Sequence, residues 1–164
     1  MKIRIFKEGD VNVIKELVTA TMEHEIGLNQ EVYPVDDFED MARTYGEDNG
    51  VFFVAEENGR IVGGIGLTKE SDDVGLVRRF FVDAASRRKG IGSLLMENIT
   101  DFSKNGGYKR IEFRATGRMI PAISLCVKNG FLEKEKLSLF GVEIARLSKD
   151  LIENESEEKG CQKR

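Results

Sequence analysis

Two cysteines and one histidine are all that the 164 residues offer of those two residue types. Two thiols cannot build a disulfide framework, which points to a reducing compartment and a cytoplasmic location. One histidine cannot complete a metal site. Glu23, His24 and Glu25 are adjacent rather than convergent, and no Cys or further His joins them, so no metal is expected. No apolar run approaches the roughly 18 residues that would cross a bilayer, so no membrane partner is expected. The first six residues, Met1 to Phe6, alternate like a strand and lack the core of a signal peptide. Basic excess is also missing. Lys and Arg number 25 against 29 Asp and Glu, a net charge of −4, which argues against nucleic acid as the main partner. With no internal repeat and no dividing linker, residues 1–150 read as one domain, and 151–164 as a polar tail that frays.

Two nucleotide signatures are absent too. No Gly with four spacers leads into Gly-Lys-Ser/Thr, so there is no P-loop. A dinucleotide fingerprint would need a third small residue after Gly90 and Gly92, where Leu95 stands. Gly63-Gly64-Ile65-Gly66 lies within a strand-like run and opens no helix.

What is present is the turn Arg87-Arg88-Lys89-Gly90-Ile91-Gly92-Ser93. A buried strand, Leu76 to Val82, precedes it. Ile91, Leu94, Leu95, Ile99 and Phe102 then recur at helical spacing, so a helix begins within the turn. The first turn of a helix presents unpaired N–H groups and the positive end of its dipole. Glycines let the main chain close on a ligand, and three cations stand beside them. That combination suits a pyrophosphate. A nucleotide-binding switch and an ordinary basic turn remain open at this point.

The remaining elements alternate. Ile3 to Phe6 reads as a strand, and Asp10 as the cap of a helix whose apolar side is Ile14, Leu17 and Val18, with Met22 a candidate to extend it. A second helix is predicted over Val35 to Tyr45. Val51 to Glu56 and Arg60 to Leu67 form a hairpin around Asn58-Gly59. After the helix from 91 to 105 comes a strand, Lys109 to Ala115, with Glu112 and Arg114 on the face away from Ile111 and Phe113. Pro121 suits the start, and Gly130 the end, of a helix of about nine residues. Strands at 131–134 and 141–147 close the domain.

The segment Ala122-Ile123-Ser124-Leu125-Cys126-Val127-Lys128-Asn129-Gly130-Phe131 resembles the A-x-x-L-Y-x-K-x-G-F pattern of the GCN5-related N-acetyltransferase superfamily. Arg87-x-x-Gly90-x-Gly92 resembles that superfamily's R/Q-x-x-G-x-G/A, and Arg79-Phe80-Phe81-Val82 its R-L-Y-V strand end. The resemblance covers roughly residues 1–150 and is strongest from 76 to 131. It implies an α/β fold with a mixed, twisted sheet of about seven strands and helices on both faces. It further implies acetyl-coenzyme A (acetyl-CoA) as co-substrate, its pantetheine arm lying between splayed fourth and fifth strands. Backbone groups of Phe80, Phe81 and Val82 would pair with that arm, and one N–H would polarise the thioester carbonyl. The amides from Arg88 to Ser93, with Arg87 and Lys89, would hold the diphosphate. Lys128 would approach the coenzyme's polar end or stand as a solvated lysine. The implied reaction is direct transfer of an acetyl group to a primary amine of a small molecule or peptide.

Three positions depart from the family pattern. Cys126 replaces the tyrosine that protonates the departing sulfur, Met119 an asparagine that binds the arm, and Leu76 a glutamate that serves as base. Cys126 either substitutes as the acid or is a small, half-buried residue that widens the pocket. A thiol of pKa about 8.5 leaves tolerably without an acid. Glu112 and His24 are candidate bases, with Glu23 and Glu25 beside the latter. A lysine amine of pKa about 10.4 costs about 4.6 kcal/mol to deprotonate at pH 7, and an α-amine of pKa about 8 only about 1.4, so a weakly basic amine is favoured. The acidic balance favours a cationic acceptor. Segments 22–35 and 134–142 are expected to bind the acceptor, and edge strands near the C-terminus allow a homodimer. A CoA-binding module with degraded catalysis is the alternative function.

Overall fold

The structure, a computed structural model, describes residues 1–27, 36–46 and 50–152. Strand β1 (Lys2–Ile5) leads through a 3₁₀ turn into helix α1 (Val11–Ala20), which continues as a π-helical turn at Thr21–Ile26. Helix α2 (Met41–Gly46) precedes strands β2 (Val51–Glu57), β3 (Arg60–Lys69) and β4 (Val74–Val82). Helix α3 (Ile91–Asn105), strand β5 (Arg110–Thr116), helix α4 (Ile120–Lys128) and strands β6 (Leu132–Leu139) and β7 (Val142–Asp150) follow. The strands form one mixed sheet in the order β1-β2-β3-β4-β5-β7-β6, so the expected seven-stranded α/β architecture is what the chain adopts.

Period-2 alternation divides the apolar residues between two cores. On one face Ile65, Val77, Ile111 and Phe113 pack against Ile91, Leu95, Met96 and Ile99. On the other, Phe52, Val54 and Phe81 pack against Ile14 and Val18 of α1 and Met41 and Tyr45 of α2. Helices therefore cover both faces.

Strands β4 and β5 are parallel neighbours joined through α3, and their pairing is short. It runs from Val74↔Arg110 to Val77↔Phe113 and stops, although β4 continues to Val82 and β5 to Thr116. The two strands part there. At the same level β4 carries a bulge against β3: Gly66 pairs Arg78 and Gly64 pairs Phe81, so Arg79 and Phe80 together oppose Ile65. Arg79 has φ +54°, the left-handed region that a non-glycine residue rarely enters. An extra residue at this point bends the strand away from its former partner.

Several local expectations are corrected. Residues 35–45 do not form one helix. A 3₁₀ turn spans Asp36–Phe38 and α2 begins only at Met41. Asp40 starts it, its carboxylate accepting the Arg43 N–H at 3.1 Å. Val35 lies outside the described residues, as do most of the expected acceptor segment (28–35) and the polar tail from 153 onward. The Asp10 side chain does not cap α1. It accepts the Lys7 N–H at 2.7 Å and pairs with Arg4 at 2.7 Å. The last two strands are longer than expected because Phe140 and Gly141, at φ +49° and +76°, form a tight turn that lets both ladders continue.

Candidate active site

The β4–α3 connection leaves the sheet through Asp83, whose N–H donates to Val62 O at 2.8 Å. Arg87 then folds back, its Nε donating to Val82 O at 3.1 Å. Arg88 (φ +64°) and Gly90 (φ +80°) turn the chain through left-handed conformations into α3. The amides of Ile91, Gly92 and Ser93 occupy the first turn of that helix, where no intrahelical carbonyl can accept from them. Left-handed turns of this kind at a helix N-terminus make an anion-binding concavity.

That turn forms one end of a cleft of about 940 Å³. Phe80, Phe81 and Val82 of β4 line its wall, and Arg87, Arg88, Gly90, Ile91, Gly92 and Ser93 its anion-binding end. Met119, Ala122, Leu125 and Lys128 approach from the side of α4. Gly92 lets α3 pass close to α4 here, because a Cβ would run into Leu125 Cδ2 and displace that side chain. The residue types fit a CoA diphosphate and its arm: main-chain N–H donors and fixed cations at one end, apolar walls along the splay.

Ten of the eleven residues expected to hold the co-substrate thus meet in one cleft. The exception is Lys89, which does not line it and whose ammonium stands 3.5 Å from Glu57. Thr21, Ser86 and Arg118 line the cleft as well and carried no signal in the sequence. Arg118 lies against Gly27, where a Cβ would come within 2.7 Å of its guanidinium.

Of the three candidate catalytic side chains, Cys126 and Glu112 do not line the cleft. Cys126 is fully buried, not half-buried, and it packs in the core between α4 and the sheet. Burial pushes its thiol pKa up to about 12. Glu112 is buried on β5 rather than solvated, accepting from Arg146 Nη1 at 2.6 Å and Arg110 Nε at 3.3 Å. His24 sits on the turn Thr21–Ile26, and its side chain lies outside what the structure describes. No carboxylate lines the cleft among the described residues, so the overall acidity of the chain is not expressed there.

Behind the bulge lies a buried ionic network. Asp37 accepts from Arg79 Nη2 at 2.6 Å and Nε at 3.0 Å, and from Tyr45 Oη at 2.6 Å. Burial alone would raise the Asp37 pKa, but the hydrogen bonds and charge of Arg79 outweigh it and hold the carboxyl below its usual range. Tyr45 is pushed up by burial and by the adjacent carboxylate.

Comparison with known proteins places this geometry. The model of the acetyltransferase (GNAT) family matches residues 15–131. A GNAT-family acetyltransferase from Staphylococcus aureus superimposes with a TM-score of 0.84 at 21% identity, covering 92% of this chain and 99% of that one. A putative acetyltransferase from Salmonella typhimurium, solved with its cofactor acetyl-CoA, gives a TM-score of 0.76 at 18% identity, covering 94% and 95%. Human N-acetyltransferase 8 is 28% identical over 101 residues, spanning 58% of this chain and 44% of that protein. The chain thus spans less than half the length of that relative.

Proposed function

The chain belongs to the acetyltransferase (GNAT) family, and from that premise we propose that it transfers an acetyl group from acetyl-CoA to a primary amine within the cleft at the β4–β5 splay. One observation carries the reading: the left-handed turn at Arg88 and Gly90 opens α3 into the same cleft that the parted strands create. The thioester supplies an activated acyl group. Arg87, Arg88, Lys128 and the first-turn amides hold the diphosphate, while Phe80 to Val82 fix the arm and offer an N–H to the carbonyl. Orienting amine and thioester together supplies much of the rate, with effective molarities of about 10⁵ M or more available to well-placed pairs.

Proton handling follows from what lines the cleft. The described lining residues include no carboxylate, so on this reading the acceptor arrives neutral or loses its proton to water. That favours an α-amine, at about 1.4 kcal/mol for deprotonation at pH 7, over a lysine amine at about 4.6 kcal/mol. We assign Cys126 to packing rather than proton transfer, so the coenzyme thiolate leaves without a side-chain acid. The second reading, a CoA-binding module without turnover, draws on Cys126 and Met119 standing where the family has tyrosine and asparagine.

Calorimetry with acetyl-CoA, followed by thiol release over a panel of amino acids and short peptides, tests both. Binding with turnover on an α-amine is expected. Arg88→Glu should weaken acetyl-CoA binding by about tenfold or more, roughly 1.4 kcal/mol. Binding without turnover on any amine selects the module, and no binding at all removes both.

A further inference from the structure

Position 79 is in a conformation that its own residue type resists, and side chains from outside β4 surround it. Arg79 adopts φ +54° within the bulge, directly beyond the last pair, Val77↔Phe113, that joins β4 to β5. An arginine gains nothing from that angle by itself, so a conformation of this kind persists only where surroundings over-determine it. Here they do. The guanidinium is gripped by both oxygens of Asp37, at 2.6 and 3.0 Å, and its side chain is only 5% exposed. Its Nη1 lies 3.7 Å from Met22 Sδ, and its carbon centre stands 5.1 Å from the Phe38 ring centroid. Tyr45 donates to Asp37 and lies over Gly66, the residue paired with Arg78. A Cβ on Gly66 would come within 2.6 Å of the Tyr45 ring. Gly64, paired with Phe81, likewise leaves room for the Phe81 ring.

Met22 follows α1, Asp37 and Phe38 form the 3₁₀ turn, and Tyr45 belongs to α2. All come from the N-terminal layer on the opposite face of the sheet from α3. The bulge is therefore held from one side by a planar, two-point ion pair and a hydroxyl, and on the other side it faces the cleft through Phe80 and Val82.

We propose that Asp37, Arg79 and Tyr45 are positioning residues for acetyl transfer: their buried network sets the backbone angle at Arg79 and thereby aims the amides that follow it at the thioester carbonyl. The inference rests on the acetyl-CoA reading above and adds to it the group that controls carbonyl polarisation. None of the three lines the cleft, so they act through the backbone and not by touching the reacting atoms. The two-point grip also explains why arginine suits position 79, since a lysine could keep the charge but not the fixed fork.

Isotope-edited infrared spectroscopy of acetyl-CoA labelled with ¹³C at the carbonyl tests this without needing to know the acceptor. Bound to the native protein, the carbonyl stretch should fall below its value in water. In Arg79→Lys and Asp37→Asn it should return by at least half toward the free position, with calorimetric affinity for acetyl-CoA kept within about threefold (under 0.7 kcal/mol). A stretch unchanged in both folded variants overturns the proposal, as does a loss of affinity in proportion to the loss of shift. If circular dichroism finds both unfolded, Tyr45→Phe decides: it deletes one hydroxyl, and a smaller return toward the free position is expected, none overturning the idea. Native protein that gives no heat with acetyl-CoA sinks the underlying reading. Heat with an unaltered carbonyl in every variant sinks the positioning role alone.

Discussion

A proton donor to a departing thiolate has to reach it, and has to be about as acid as the thiol it creates. Cys126 meets neither demand. It is 0% exposed, and burial raises its pKa to about 12, well above the value near 8.5 of an ordinary thiol, so handing over its proton would run strongly uphill. Cys126→Ala should therefore leave the pH profile of kcat unaltered while costing about 1 kcal/mol of stability for the vacated volume. Because folding raises this thiol's pKa, its native form holds a proton that the unfolded chain releases. Stability contributed by the thiol is present below about pH 9 and is lost as pH rises toward 12. Urea melts between pH 8 and 11 should show a shallower alkaline decline for Cys126→Ala than for the native protein. A kcat profile displaced by the substitution would restore the acid role. Nothing in the local sequence distinguishes the two uses of a cysteine on the inward side of a short helix; burial does.

At the scale of elements, the turn into α3 concentrates its function in consecutive residues, which is why it could be read from the chain. Glycine positions, cations and the onset of helical periodicity all fall within 87–93, and the structure puts a left-handed turn and a helix N-terminus there. Gly92→Ala is expected to weaken acetyl-CoA binding about threefold, roughly 0.7 kcal/mol, since its Cβ would displace the Leu125 side chain that lines the cleft. Calorimetry against a Ser93→Ala control, which adds no volume at that contact, checks it. Elements defined by distant partners were illegible for the opposite reason. Asp37 meets Arg79 across 42 residues of sequence, with no pattern in either segment to announce it. Glu112 alternates away from Ile111 and Phe113 as a solvated carboxylate would, yet Arg146, on the neighbouring strand, comes within 2.6 Å and lets it be buried. The helix expected over 35–45 fails because Asp40 caps a helix that starts at Met41, while Asp37 lies in a separate 3₁₀ turn with its carboxylate committed to Arg79 and Tyr45, and an apolar count weighs neither.

Across the whole molecule, ion pairs reinforce the backbone ladders and tie the N-terminal elements to the sheet. Arg4 on β1 reaches Asp10 at the entry to α1 and Glu56 on β2, at 2.7 and 2.8 Å, while Asp37 secures the N-terminal layer to β4. The carboxyls of Asp10 and Asp37 are both held below their ordinary pKa, Asp10 chiefly by its hydrogen bond to Arg4 and Asp37 by Arg79 against the cost of burial. A carboxyl depressed by folding binds fewer protons in the native state than in the unfolded one. Its contribution is then complete above the unfolded value of about 3.9 and disappears as pH falls through the native value. Thermal melts should accordingly be level from pH 7 to about 5 and drop steeply below about 4. Of the two sites, Asp37 should dominate, because both it and its partner are almost fully buried, and breaking a buried pair costs about 3–5 kcal/mol. Asp37→Asn should lower the plateau by a large part of that and flatten the acid limb. Arg4→Ala, at a more exposed pair, should move both much less. Equal effects from the two substitutions would mean that the sheet is not locked to its N-terminal layer through Arg79, and the rigid bulge that the reaction geometry requires would then need another support.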